Sequence, residues 1–292
     1  MMSLAPWYFR NLLGENNFIE VPDFYEITLL DGKKVFESNC KLKNHLRPSW
    51  LEKSNLYKDA DGTGAAETKN VAVYKGISEA LERWAFYQSI DTDQIKYAFD
   101  LNPTTTGMAS FPHFLKSGAR EKAKAEAIER WAIHQFNRKK LPISKIQTKI
   151  FGLEYFRINV PFKNYFVSVL SLKKEDRYFY GFASSSSEEE CFFKALVELD
   201  RNLRMEKSFF GKSLEDFDSP VDRTLFYFST QEGKEKFDKV VSDAPSFLSE
   251  FSGKILCDRE IKGPWSKFTV VWRYLLDDSY FDTRNDHTFF MF

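Results

Sequence analysis

The sequence predicts an α+β fold in which mixed sheets carry three related acidic helices, and three observations predict it. A helix-like segment occurs twice: residues 78–88 read Ser-Glu-Ala-Leu-Glu-Arg-Trp-Ala-Phe-Tyr-Gln and residues 125–135 read Ala-Glu-Ala-Ile-Glu-Arg-Trp-Ala-Ile-His-Gln. Glu79, Glu82, Arg83, Trp84 and Gln88 thus recur as Glu126, Glu129, Arg130, Trp131 and Gln135. A third, diverged copy at 191–205 aligns Glu198 with Glu79, Ala195 with Gly76 and Met205 with Phe86. Between the copies lie short runs rich in aromatic and β-branched residues, bounded by turn residues, which read as strands.

Residues 24–30 and 34–36 are strand-like and meet at Asp31-Gly32, so they predict a hairpin at a sheet edge. Residues 59–69, Asp-Ala-Asp-Gly-Thr-Gly-Ala-Ala-Glu-Thr-Lys, lead into the first acidic helix. Gly62 and Gly64 read either as a plain turn or as a tight backbone segment that aims N–H groups at an anion. Residues 103–109, Pro-Thr-Thr-Thr-Gly-Met-Ala, repeat that arrangement before the second helix. There the hydroxyl of Thr105 or Thr106 suits a phosphate or a metal-bound water, or the capping of a local turn. Residues 150–160, 165–172 and 178–183 read as three strands, and the run 184–187 of serines followed by Glu188, Glu189 and Glu190 suits the start of the third helix. Beyond it, 231–242 and 246–251 read as helices around Pro245, and 268–276 as a buried strand.

At 3.6 residues per turn, the glutamates and arginine of each copy share one helix face, while Leu81 with Trp84, or Ile128 with Trp131, points to the other. A solvated Glu–Arg pair worth about 0.2–0.5 kcal/mol is one reading of that face. The other is the lining of a site, because Ala72 and Gly76 precede Glu79, and Ala119 and Ala123 precede Glu126, on the same side. Lys75, Lys122 and Lys194 each stand one turn before the matching glutamate.

Forty-two basic and 42 acidic side chains cancel, so no net basic field points to nucleic acid. The 30 phenylalanines are spread through the chain, as core packing requires. Cys40, Cys191 and Cys257 are odd in number and far apart, which indicates neither a disulfide framework nor a zinc site. His45, His113, His134 and His287 lack metal-ligand spacing and read as structural. No apolar run approaches the roughly 20 residues of a membrane span, and the N-terminus lacks a signal-like region. The expectation is a cytoplasmic protein of one domain, residues 1–292, with no membrane or nucleic-acid partner.

Carboxylates gathered from several helices repel one another and need protons, cations or a metal. Magnesium is the natural candidate, since it takes oxygen ligands and is held by one or two carboxylates together with phosphates. Arg83 and Arg130 then suit phosphate oxygens, which a guanidinium binds bidentately. The residues suggest a magnesium-nucleotide site between helices.

The order of three motifs, Asp-Gly-Thr-Gly-Ala before Glu79-x-x-Glu82-Arg83, Thr-Gly-Met-Ala before Glu126-x-x-Glu129-Arg130, and a Tyr-Gly-Phe strand before Ala195-Leu196-Val197-Glu198-Leu199, resembles the YcaO family over residues 60–205. The resemblance implies a YcaO-like α+β fold that binds ATP and Mg2+. It implies that Glu79, Glu82, Glu126, Glu129 and Glu198 hold the metal, with Arg83 and Arg130 at or near the phosphates and Gly62 and Gly64 in the nucleotide site. Lys75, Thr106 and Arg201 occupy nucleotide-site places where the family commonly has Ser, Asn and Gln, and Leu203 stands where an arginine is usual, with Arg204 one position later. The proline-rich ending of azoline-forming members is missing. The activity implied is ATP-dependent activation of a peptide-bond carbonyl, giving an azoline, thioamide or amidine on a ribosomally made peptide. A separate companion protein is expected to grip the leader. A non-catalytic or accessory nucleotide- or partner-binding protein is the alternative.

Overall fold

A hairpin with an exposed outer strand begins the first sheet. β1 (Asp23–Thr28) and β2 (Lys34–Cys40) pair antiparallel from Thr28 opposite Lys34 to Asp23 opposite Asn39. Gly32 takes φ +84 in the connecting turn, a left-handed conformation that glycine adopts without strain. β3 (Gly62–Ala66) pairs antiparallel with β2, giving the order β1-β2-β3 with β1 at the edge, as the sequence predicts. The computed structural model describes residues 8–9, 12–13, 17–49, 51, 60–91, 107–248, 250, 254–277 and 287–290. The chain divides into two compact units, the first of Met1–Lys53, Tyr57–Lys124 and Ile255–Leu275 and the second of Ser54–Leu56, Ala125–Lys254 and Leu276–Phe292.

In the first unit, helix α1 (Lys69–Asp91) lies directly on β3. A Cβ on Gly62 would stand 2.2 Å from the Gly76 carbonyl oxygen and 2.3 Å from the Ala80 nitrogen; one on Gly64 would stand 2.0 Å from the Ala72 oxygen. The stretch read as a turn is therefore a strand, and its glycines bring two backbones into contact. The small residues Ala72 and Gly76, read as leaving room for a close approach that lines a site, are approached closely by β3 itself. Ala119 and Ala123 of helix α2 (Lys116–Asn137), read in the same way, are fully buried. On the other side of α1, Trp84 is 3% exposed and stacks on Phe18 at 5.0 Å, with Trp265 edge-on at 6.3 Å. A second sheet of β4 (Gly107–Phe111), β10 (Val270–Leu276) and β9 (Ile255–Ile261), in the order β4-β10-β9, completes this unit; β10 is the buried strand that the sequence predicts, and it takes the central place.

The second unit is a four-stranded antiparallel meander, β5 (Ile143–Ile146), β6 (Leu153–Ile158), β7 (Phe166–Lys174) and β8 (Arg177–Ser185). Helix α3 (Glu188–Arg204) follows; its N-cap Ser187 accepts from the Glu190 N–H, and three glutamates fill its first turn. A Cβ on Gly181 of β8 would meet the Ala195 oxygen at 2.2 Å and the Leu199 nitrogen at 2.3 Å. The alignment that matches Glu198 with Glu79 matches these atoms with Gly76 and Ala80, and matches Gly181 with Gly62. An antiparallel run of strands whose last member carries a helix at backbone contact thus occurs in each unit.

Helices α4 (Pro220–Ser229) and α5 (Gln231–Ser242) pack together. α5 matches the sequence reading, but residues 246–248 are not helical. Phe247 and Leu248 are exposed, so a helix there would have no apolar face to bury, and short helices depend on such burial.

Candidate functional site

Each unit holds a pair of helix-borne carboxylates. In the first, Glu79 is half-buried on α1, and its Oε2 accepts from the Thr63 N–H at 3.1 Å and the Thr63 hydroxyl at 3.3 Å. Glu82, one turn on, is buried at 8% exposure, and Arg83 is half-buried. Lys75 donates from its ammonium to the Ala65 carbonyl at 2.9 Å, which ties α1 to the end of β3. Just before β3, buried Asp61 accepts from the Leu42 N–H at 2.8 Å, from Arg47 Nε and from the Tyr87 hydroxyl at 3.0 Å. That knot fixes the start of the strand that carries Thr63. Beneath it the Cys40 thiol is pushed up to about 12 by burial, with Ser38 opposing and the charge of Glu79 adding to the rise. Cys40, Cys191 and Cys257 are all free and buried, in keeping with the absence of a disulfide framework.

In the second unit, Glu126 on α2 accepts from Arg130 Nη2 at 2.6 Å. Glu129, half-buried, has its carboxyl pushed up to about 7, first by desolvation and then by the charge of Glu126, against the opposing pull of Arg130, Lys194 and the Ser184 hydroxyl. Ser184, at the end of β8, donates to the Ala125 carbonyl at 2.6 Å, which anchors the start of this segment of α2. On α3, Glu198 and Arg201 are half-buried, Lys194 pairs with Glu190 at 2.9 Å, and Arg204 lies 3.4 Å from Asp200. Leu203 is a core residue at 7% exposure. Thr106 lies outside the described residues. His134 is buried, its ring pushed down to about 4 by desolvation and then by Arg138 and Arg130, so it stays neutral at pH 7.

Among the described residues no group of three or more His, Cys, Asp or Glu side chains is assembled to hold a metal ion. The donor chemistry nevertheless fits magnesium. That ion needs only one or two protein carboxylates when phosphates and waters complete its shell. The raised Glu129 carboxyl marks a desolvated place where a second carboxylate stands close, with Arg130 and Lys194 only partly offsetting both effects.

No protein-family model matches the chain, and no curated protein matches it. Solved structures do. The structure of YcaO from Methanopyrus kandleri bound with AMPPCP and Mg2+ superposes with a TM-score of 0.54 over 94% of this chain and 90% of that one, at 12% identity. The chain has a YcaO-like fold. A heterocyclase in complex with substrate and cofactor matches with a TM-score of 0.55 and 10% identity, over 96% of this chain and 52% of its own length, so the chain spans about half of that protein. The α+β architecture agrees with the sequence reading, whereas the sheets, expected to be mixed, pair antiparallel in β1-β2-β3, in β4-β10 and from β5 to β8. Among the described residues no helix is long and apolar enough to cross a membrane.

Sequence reasoning missed Thr63, Asp61 and Ser184, whose contacts link strand to helix. The placement of Asp61 and Thr63 around Gly62 was the available signal, since a strand held against a helix by glycines puts its neighbouring side chains at the helix edge.

Proposed function

We propose that this chain binds magnesium-ATP through its repeated carboxylates and uses it to activate a peptide-bond carbonyl for backbone modification, giving an azoline, thioamide or amidine on a ribosomally made peptide or protein. The observation that carries this reading is the Glu126–Glu129 pair on one turn of α2, where Glu126 holds Arg130 at 2.6 Å and the Glu129 carboxyl is pushed up to about 7, chiefly by desolvation and then by the charge of Glu126. Such a pair is an electrostatic liability unless a cation relieves it. The shared fold supports the choice of cation, because the Methanopyrus kandleri protein was determined with AMPPCP and Mg2+. Glu79, Glu82, Glu126, Glu129 and Glu198 would hold the metal, and Arg83 and Arg130 would orient phosphate oxygens. Magnesium, when bound, supplies the positive charge that both the triphosphate and these carboxylates lack. Glu126 already holds the Arg130 guanidinium in one orientation at 2.6 Å, the kind of pre-set fork that binds phosphate bidentately.

The test is phosphate release from ATP by the purified chain, with candidate precursor peptides and with a companion protein encoded nearby. Peptide-dependent phosphate release, with a matching mass change in the peptide, is the expected result. No release in any combination refutes the enzymatic reading. Nucleotide binding without release identifies the second reading, an accessory nucleotide-binding protein. That reading is favoured by Leu203, a buried apolar residue where the resemblance leads one to expect a cation.

A further inference from the structure

We infer that Thr63 is a positioning residue that fixes Glu79 as a one-oxygen ligand for a divalent cation, an inference that rests on the magnesium-nucleotide reading above. Thr63 gives both of its donors to the same atom: its N–H lies 3.1 Å, and its hydroxyl 3.3 Å, from Glu79 Oε2. With Oε2 engaged twice, Oε1 is the oxygen left for a cation. Metal-ligating carboxylates are in general oriented by such hydrogen bonds, and removing the orienting partner typically weakens the metal site.

The geometry is held by backbone rather than by a flexible side chain. Gly62 and Gly64, on either side of Thr63, approach the α1 backbone so closely that a single Cβ would stand 2.2 or 2.0 Å from a helix carbonyl oxygen. β3 therefore cannot slide relative to α1, and Thr63 meets Glu79 in one register. Immediately before the strand, Asp61 is bonded to Leu42, Arg47 and Tyr87, which pins the entry to β3.

The second unit supplies an internal contrast. The alignment that pairs Gly181 with Gly62 and Glu198 with Glu79 puts Phe182, buried at 5% exposure, in the place of Thr63. Phe182 has no hydroxyl to offer, so the side-chain half of the clamp is missing from the α3 copy. The two matched glutamates therefore differ in this contact, and only the Glu79 position has a threonine beside it.

A purely structural role for the Thr63 hydroxyl predicts altered stability without ligand and no change in metal dependence. A positioning role predicts the reverse, and Thr63→Val separates them, because it keeps shape and N–H while removing the hydroxyl. The full chain is titrated with AMPPCP by calorimetry at a series of magnesium concentrations, and with Mn2+ followed by electron paramagnetic resonance. Thr63→Val should raise the metal concentration needed for half-saturation by about 10–100-fold, with nucleotide affinity in the absence of metal unchanged and Thr63→Ser close to wild type. Should Thr63→Val fail to fold, Thr63→Ala removes the same hydroxyl and is read in the same way. Metal-dependent binding by the wild type with an unchanged metal requirement in the variant overturns this inference alone. No metal-dependent nucleotide binding by the wild type overturns it together with the magnesium-nucleotide reading.

Discussion

Replacing Glu129 with Gln should stabilise the ligand-free protein at neutral and alkaline pH while changing little in acid. The Glu129 carboxyl titrates at about 7 when folded against an ordinary 4.5, chiefly because it is desolvated and secondarily because Glu126 is charged beside it. A raised carboxyl pKa means that the folded chain holds its proton more tightly than the unfolded chain does. Stability from this group is therefore intact below about pH 4.5 and is lost progressively as pH rises through about 7. At about 1.4 kcal/mol per pH unit, that gap corresponds to about 3 kcal/mol of destabilisation above pH 7. Glutamine has the same shape and no charge, so it recovers most of this net cost, which already includes the attraction that Arg130 and Lys194 exert on the carboxylate. Urea unfolding of wild type and Glu129→Gln, in chelator, at acidic and alkaline pH reads the difference directly. The two curves should coincide in acid and separate above neutrality, with the variant the more stable. A variant that is less stable by the same amount at every pH would show Glu129 to be an ordinary packed or hydrogen-bonded side chain, and would refute the electrostatic argument.

Gly62→Ala and Gly181→Ala should each destabilise by about 3 kcal/mol or more, above the usual overpacking cost, because the new methyl meets helix backbone that cannot rotate away. Thermal melts check this, and a tolerated alanine at either position would contradict the backbone contact. Trp84→Ala should cost about 3–5 kcal/mol through lost burial and a cavity, while leaving the response to magnesium-ATP in place. Loss of that response with an unchanged melting temperature would mean that the helix faces are assigned the wrong way round.

The helices and their inner faces were legible because they follow from periodicity. Trp84 and Trp131 are both buried, and the Asp31-Gly32 turn joins the strands it was expected to join. β3 was not legible, since two glycines in five residues lack any strand preference of their own. It is a strand because α1 lies on it, and that packing involves residues distant in sequence. Residues 246–248 failed in the opposite sense: their apolar side chains suggest a helix, but Phe247 and Leu248 stay exposed. α4 was overlooked although Ser219 and Pro220 mark its start, proline being well suited to a first helical turn. The carboxylates themselves could be read from spacing alone. Their partners Thr63 and Ser184 could not, because a strand residue reaching a helix side chain or carbonyl leaves no periodic trace.

The central claim is that these carboxylates serve a magnesium-bound nucleotide, and ligand-dependent melting tests it most directly. Magnesium-ATP present at about 100 times its dissociation constant should stabilise the wild type by about 2.7 kcal/mol. Glu82→Gln and Glu129→Gln should each weaken that effect, even though Glu129→Gln begins from a more stable ligand-free state. Wild-type melting indifferent to millimolar magnesium-ATP would contradict the claim, and an undiminished response in both variants would contradict the assignment of its residues.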